Sequence, residues 1–311
     1  MQTFIDFDDA VVFAVPLAVP VRGATVHEGM LIEGPQGWGE FAPPPRADAA
    51  LAARHLTAAV EAGTVGWPDP RRGRVPVAVT VADLDPDAAR AAVAASGCRA
   101  ADVLVGDRPL ADDAARVAAV RAALGPDGAV RCDAGGRWDA ATAAAAIAEL
   151  DRAAGGLEFV ARPCPGAGEL AALRRRVGVP LAAEPGLDAD IVLIDGAAAG
   201  GVRRALRLAE RSGRPCVVAA GVRTGVGLAA ALALAGAVDS PYAAAVGGHG
   251  LLAGDLVAAA RSHGPVDGGL PVAPTPPAPD PERLRRHRVT DSQRIAAWRE
   301  LLARARATAG G

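Results

Sequence analysis

A chain of 311 residues with 51% apolar content can bury a full core, and its length suits one barrel with a small accessory lobe. The net charge of -2, the pI near 6.2 and the 3% aromatic content supply neither a basic field nor stacking platforms, which argues against nucleic acid as a partner. The acidic start MQTFIDFDDA and the lack of an unbroken apolar span of about 18 residues argue against a secretory signal and a membrane anchor, so the chain is expected in the cytoplasm.

No lysine occurs, so all 33 basic residues are arginine. A mechanism that needs a lysine ε-amine, as a base or as a Schiff base, is therefore excluded. Cys98, Cys132, Cys164 and Cys216 fall singly without a C-x-x-C pair, which reads as buried thiols and not as a zinc site or a disulfide framework.

From Val11 to Phe41, apolar stretches alternate with turn signals (VVFAVPLAV, ATVHEGMLIEG, GWGEF), which predicts a small antiparallel sheet. Arg46 to Ala62 predicts a helix closed by Gly63, and GWPDPRRG, Gly66 to Gly73, reads as a linker. Beyond it strands alternate with helices, the pattern of a parallel sheet covered by helices. The predicted strands are Val75–Val81, Arg99–Val105, a run ending at Asp133, Leu157–Val160, Pro180–Ala183, Ile191–Ile194, Pro215–Ala219 and, as an eighth, Tyr242–Val246. The predicted helices among them are Pro86–Ala95, Ala111–Leu124, Ala140–Ala154 and Glu169–Val177.

The clearest unit is AVRCDAGGRWD, Ala129 to Asp139: an apolar run ends in a carboxylate, a glycine pair breaks the chain, and a helix follows. It sets Asp133 at a strand's carboxyl end, where barrels present their chemistry. Pro265 to Asp280 is proline-rich and expected to be extended, and Thr290 to Ala307 predicts a helix, capped by Thr290 or Asp291, that returns to the N-terminal sheet. Between Glu184 and Ile191 the chain has only PGLDAD, whereas a crossover between parallel strands needs roughly a dozen residues. One barrel flank is thus expected to lack its helix, and the apolar surface so exposed predicts a homo-oligomer.

Taken in order, RGATVHEGMLIEGPQGWGEF, RVPVAVTV, LGPDGAVRCDAGGRWD, LEFVARPC, ELAALRRRVGVPLAAE, GGVRRALRLAE and TGVGLAAALALA resemble the enolase superfamily, and within it the actinobacterial o-succinylbenzoate synthases, which make an aromatic precursor of menaquinone. The resemblance covers nearly the whole chain. It implies an α/β protein in which an α+β capping domain, residues 1–72 plus 266–311, covers a modified (β/α)7β TIM barrel, residues 73–265. The site it implies is altered. The family's K-x-K on the second strand is here Asp102 and Leu104. The first metal carboxylate is kept as Asp133, with Gly135 for the family's asparagine. The second metal ligand is replaced by Ala161, followed by Arg162 and Pro163. The third aligns with Glu184, and the lysine ending the sixth strand becomes Asp195.

Magnesium prefers about six oxygens in near-octahedral geometry, so Asp133 and Glu184 alone predict at most weak residual Mg2+ binding, and no cofactor is expected. If Asp102, Asp133, Arg162, Glu184 and Asp195 share one mouth, some acid should take a raised pKa, and a protonated acid beside an ionised one can run acid/base chemistry without a metal. The glycine-rich loops AAGVRTGVG and VGGHG suggest an anion site using Arg223, His249 and Gly248. Arg22 and His27 resemble the family's substrate-covering loop. Two readings follow: a metal-independent isomerase, dehydratase or cyclase acting on a small anionic metabolite, or a pseudoenzyme that binds a ligand or a partner. Retained o-succinylbenzoate synthase activity is a third.

Overall fold

The computed structural model describes residues 5–258 and 267–310. β1 (Val11–Val21), β2 (Ala24–Gly34) and β3 (Gly37–Phe41) form an antiparallel sheet in that order. Arg22 and Gly23, which join β1 to β2, both have positive φ, 50° and 84°. A two-residue hairpin turn whose twist matches its strands has this conformation. α1 (Ala49–Thr64) follows, its first turn capped by the Asp48 carboxylate, which accepts from Leu51 N at 2.7 Å.

The predicted first barrel strand divides at Val77. β4 (Arg74–Pro76) pairs antiparallel with a late strand, and β5 (Ala78–Val81) enters the barrel. Pro76 has no N–H to give a central ladder, which accounts for the break. Then come α2 (Pro86–Ser96), β6 (Ala100–Leu104), α3 (Leu110–Leu124), β7 (Ala129–Asp133), α4 (Ala140–Ala154), β8 (Phe159–Ala161), α5 (Ala167–Arg174), β9 (Leu181–Ala183), β10 (Ile191–Ile194), α6 (Gly196–Ala199), α7 (Val202–Ser212), β11 (Cys216–Val218) and α8 (Gly225–Ala237). β5 to β11 make one parallel sheet in chain order. Ala245 bridges to Ala219 beside β11, and Ala244 bridges to Val77 beside β5. The stave expected at Tyr242–Val246 is therefore these two residues, and they close the sheet into a barrel.

β12 (Gly269–Pro271) is the partner of β4, and α9 (Pro281–His287) leads to α10 (Ser292–Ala309). Asp291 caps α10, and its carboxylate accepts from Arg294 N at 2.8 Å. α10 packs on α1: Leu302 and Ala305 are buried with Leu56, Ala59 and Phe41, and Trp298 meets Phe41 edge-on at 6.1 Å. The domain boundary expected at residues 265–266 lies outside the described residues.

The connection from β9 to β10 contains no helix, as its length requires. The flank is nevertheless not apolar, and that expectation is corrected. Leu187 and Ala189 of the connection fold back onto the core beside β9. Outside them, Arg174 pairs with Asp188 and Asp190 at 2.7 Å each, and Arg214 pairs with Asp188 at 2.9 Å. Among the described residues the exposed large apolar side chains are Val65 and Leu110, both elsewhere. A charged, ion-paired flank does not drive association by burial, so the reason offered for an oligomer is absent.

Candidate active site

The carboxyl ends of the barrel strands open into a cavity of about 790 Å3 beneath the cap. Alternation along β6 turns Ala101 and Val103 outward to the helices and Asp102 and Leu104 into this cavity. Asp102 is 8% exposed. Its Oδ1 stands 3.6 Å from Arg131 Nη1, and its Oδ2 has no hydrogen-bond partner. Burial raises the Asp102 pKa to about 6; Arg131 works against the rise and the neighbouring Asp133 adds to it. Arg131 offsets only part of the burial, because its Nε and Nη1 are engaged elsewhere while its Nη2 has no hydrogen-bond partner. It contacts Glu158 Oε2 at 2.5 Å, donates to Ala243 O at 2.9 Å and lies 4.8 Å from the centroid of the Phe159 ring.

Asp133 ends β7, and three groups converge on it. Arg162 donates to both carboxylate oxygens, from Nε at 3.2 Å and through a short bond from Nη2. Gly135 N donates at 2.9 Å, and Arg22 Nη2 lies 3.6 Å away. Burial alone would raise the Asp133 pKa, but Arg162, Arg22 and the Gly135 N–H together hold it below the usual carboxylate range. Arg162 reaches this position through its backbone. Phe159 and Ala161 of β8 face the cavity, so an extended Arg162 would point away. Its φ of 46° breaks the alternation, and the turn is held by Arg162 N donating to Ala182 O at 2.8 Å and Gly136 N donating to Arg162 O at 2.6 Å. Nη1 of the same guanidinium lies 3.7 Å from Glu184 Oε1.

The hairpin tip carries Arg22 over the mouth. Its Nη2 donates to Asp133 O at 2.6 Å, and its Nη1 to Val105 O at 3.2 Å and to Asp107 Oδ2 at 2.7 Å. Glu184, half exposed on the rim, and Asp195, which caps α6 through Ala197 N at 2.8 Å, line the opposite side. Gly248 also lines the cavity, tight against Gly221, where a Cβ would stand 3.2 Å from backbone atoms.

Asp102, Asp133, Arg162, Glu184 and Asp195, together with Arg22 and Gly248, thus share one cavity. Arg223, His249 and His27 do not line it. Glu40 of β3, an acid that sequence reasoning misses, draws His27 and Arg223 away. Its buried carboxylate accepts from His27 Nε2 at 3.1 Å, from Thr224 N at 3.0 Å and, through a short bond, from the Thr224 hydroxyl. Arg223 Nε lies 4.0 Å from it, and Arg223 also faces Asp195 at 3.6 Å. Burial pushes the Glu40 pKa upward, but His27, Arg223 and Thr224 overcome this and lower it. His249 turns to Arg223 O at 3.2 Å and to Asp255 at 3.7 Å. The available signal was an acid within the short strand run GWGEF, set between Gly39 and Phe41.

The donors present do not suit a divalent cation. Ala161 offers no ligand atom, and the Arg162 guanidinium occupies the space between Asp133 and Glu184, where a positive charge repels a cation and already takes their oxygens. No group of three or more His, Cys, Asp or Glu side chains among the described residues could hold a metal ion.

Residues 12–63 match the family described as enolase N-terminal domain-like, and residues 86–185 the family described as enolase C-terminal domain-like. The o-succinylbenzoate synthase of Thermobifida fusca (strain YX) is 44% identical over 318 residues, covering 95% of each chain. That of Mycobacterium tuberculosis (strain H37Rv) is 40% identical over 299 residues, covering 89% of this chain and 88% of the relative. Among solved structures, the muconate lactonizing enzyme of Pseudomonas fluorescens superposes with a TM-score of 0.75 at 20% identity, covering 93% of this chain and 100% of that one. The L-Ala-D/L-Glu epimerase of Bacillus subtilis superposes at 0.71 with 21% identity, covering 89% and 98%. Both likenesses speak to the fold alone.

Proposed function

The chain belongs to the enolase superfamily of acid/base enzymes, and from that premise we propose that it carries out proton transfer on a small organic acid without a divalent cation, as an isomerase, dehydratase or cyclase. The observation that carries this reading is the buried Asp102 carboxyl, with an unpartnered oxygen, on an open cavity. A carboxyl titrating near 6 is competent as a base at neutral pH and still accepts a proton readily in the transition state. The Arg162 guanidinium, with an edge toward the cavity, supplies positive charge for a substrate carboxylate and for the negative charge that grows on it as a neighbouring C–H is broken. Asp133 fixes that guanidinium. Glu184 and Asp195 on the opposite rim are the candidates for the second proton transfer, and Arg22 shields the mouth from water. Residues 1–72 and 266–311 act in this proposal as the cap over the 73–265 barrel, with Arg223, His249 and His27 serving the joint between them.

Proton exchange tests this even while the substrate is unidentified. Small carboxylic acids, including the reactant of o-succinylbenzoate synthesis, are incubated with the protein in D2O and EDTA, and deuterium uptake beside the carboxylate is followed by NMR. Uptake by the native protein that Asp102→Asn abolishes supports the proposal, whereas uptake that appears only with added Mg2+ contradicts it. The Arg162–Asp133 clamp favours a second reading, a ligand-binding protein without turnover. Tight binding of an acid with no exchange in any of them would select it.

A further inference from the structure

The cavity extends beyond the barrel mouth to a second cationic wall. Arg54 of α1 and Arg204 of α7 both line it, and their aliphatic stems meet over Gly200: the point where a Gly200 Cβ would sit lies 3.6 Å from Arg54 Cγ and 3.7 Å from Arg204 Cδ. Arg54 uses only Nε, which donates to Ala198 O at 2.7 Å. Among the described residues Arg204 makes no hydrogen bond, and neither guanidinium makes an ion pair. The acids nearby face other arginines: Asp195 faces Arg223 at 3.6 Å, Glu61 faces Arg203 at 3.2 Å, and Glu184, on the same cavity, faces Arg162 at 3.7 Å. Two arginines whose stems share one wall, neither of them ion-paired among the described residues, form a site that favours an anion. Leu51, Pro185 and Leu208 line the same cavity and supply apolar surface for the body of a ligand.

We propose that Arg54 and Arg204 form a phosphoryl-binding subsite, so that the substrate is a small organic acid that also carries a phosphate ester. Two guanidiniums match the charge of about -1.5 to -2 on a phosphate monoester, whereas one carboxylate would leave a positive charge unbalanced. The helix-free connection after β9 leaves Glu184 and Pro185 as this cavity's wall, which keeps the subsite continuous with the mouth. This assignment rests on the cavity being the substrate site, but equilibrium binding tests it separately from turnover.

Isothermal titration with phenyl phosphate, benzoate and inorganic phosphate tests it. Phenyl phosphate should bind at least about tenfold more tightly than either of the others, the effect of one charge-assisted hydrogen bond or more. Arg204→Gln and Arg54→Gln should each remove about tenfold from phenyl phosphate and leave benzoate unchanged. Arg204 is exposed, so Arg204→Gln and the charge reversal Arg204→Glu keep the test independent of folding. Asp102→Asn should retain the preference, so loss of turnover and loss of the subsite are read apart. Phenyl phosphate binding no tighter than benzoate, or a preference that survives both arginine variants, would overturn the assignment. Inorganic phosphate binding as tightly as phenyl phosphate would also overturn it, because the site would then serve a free anion.

Discussion

Replacing Asp102 with asparagine separates the chemistry of its carboxyl from its energetic cost. The folded-state pKa is raised to about 6, so the folded protein binds a proton that the unfolded chain releases nearer 4. The stability linked to that proton is fully present below the ordinary aspartate range and is lost as pH rises through about 6. Asp102→Asn should therefore stabilise the protein at pH 8 by an amount on the order of 1 to 3 kcal/mol, give little gain at pH 4.5, and abolish proton exchange. Thermal unfolding at the two pH values checks the first part. Equal effects at both would mean that the carboxyl is not held protonated by burial. A second prediction concerns Arg162: the double variant Ala161→Glu, Arg162→Gln removes the guanidinium and adds a carboxylate beside Asp133 and Glu184, so it should gain Mg2+ binding measurable by calorimetry. A double variant as indifferent to Mg2+ as the native protein would show that something other than Arg162 governs the cation site.

At the scale of elements, the joint between β3 and the start of α8 depends on Glu40. Gly227 gives that carboxylate its room, since a Cβ there would stand 2.7 Å from the Glu40 carboxyl carbon. Glu40→Gln leaves the half-buried His27 without its anion and Arg223 with Asp195 alone, and should destabilise the protein by about 1 to 3 kcal/mol, with Gly227→Ala acting in the same direction. Because the folded pKa of Glu40 is lowered, its contribution is present above the ordinary glutamate range and is lost as pH falls toward the folded value. The native protein should thus lose stability more steeply on acidification below about pH 4 than Glu40→Gln does, as denaturant titrations at several pH values would show. On the helix-free flank, Asp190→Ala removes the acceptor for Leu181 N at 3.0 Å and for Arg174, and should cost about 1 to 3 kcal/mol.

Elements with strong local signals are legible in the sequence. α4 and β10 occupy the residues predicted from periodicity alone, and the missing helix follows from a count of residues between Glu184 and Ile191. The antiparallel pairing of β4 with β12 is not legible, because it joins segments almost two hundred residues apart. The expectation of an apolar flank fails for a related reason. Arg174, Asp188, Asp190 and Arg214 look like ordinary surface charges in sequence, and only the fold brings them together.

Across the whole molecule, candidates at strand ends come to line the cavity because the barrel rule places them there, while others are drawn away from it by partners the sequence does not show. Asp102, Asp133, Glu184 and Asp195 follow the first case. Arg223, His249 and His27 follow the second: each carries the right chemistry for a mouth, but Glu40 draws in His27 and Arg223, and Asp255 and the Arg223 carbonyl hold His249. Arg54 and Arg204 escape a reading of the sequence because nothing in a helical pattern marks two arginines on separate helices as neighbours. The central claim of the proposal is that the Arg162 guanidinium, held between Asp133 and Glu184, leaves no room for a divalent cation there. Calorimetric titration of the native protein with Mg2+ tests this most directly. The account predicts no binding heat into the millimolar range, whereas a stoichiometric isotherm at micromolar concentration would contradict it.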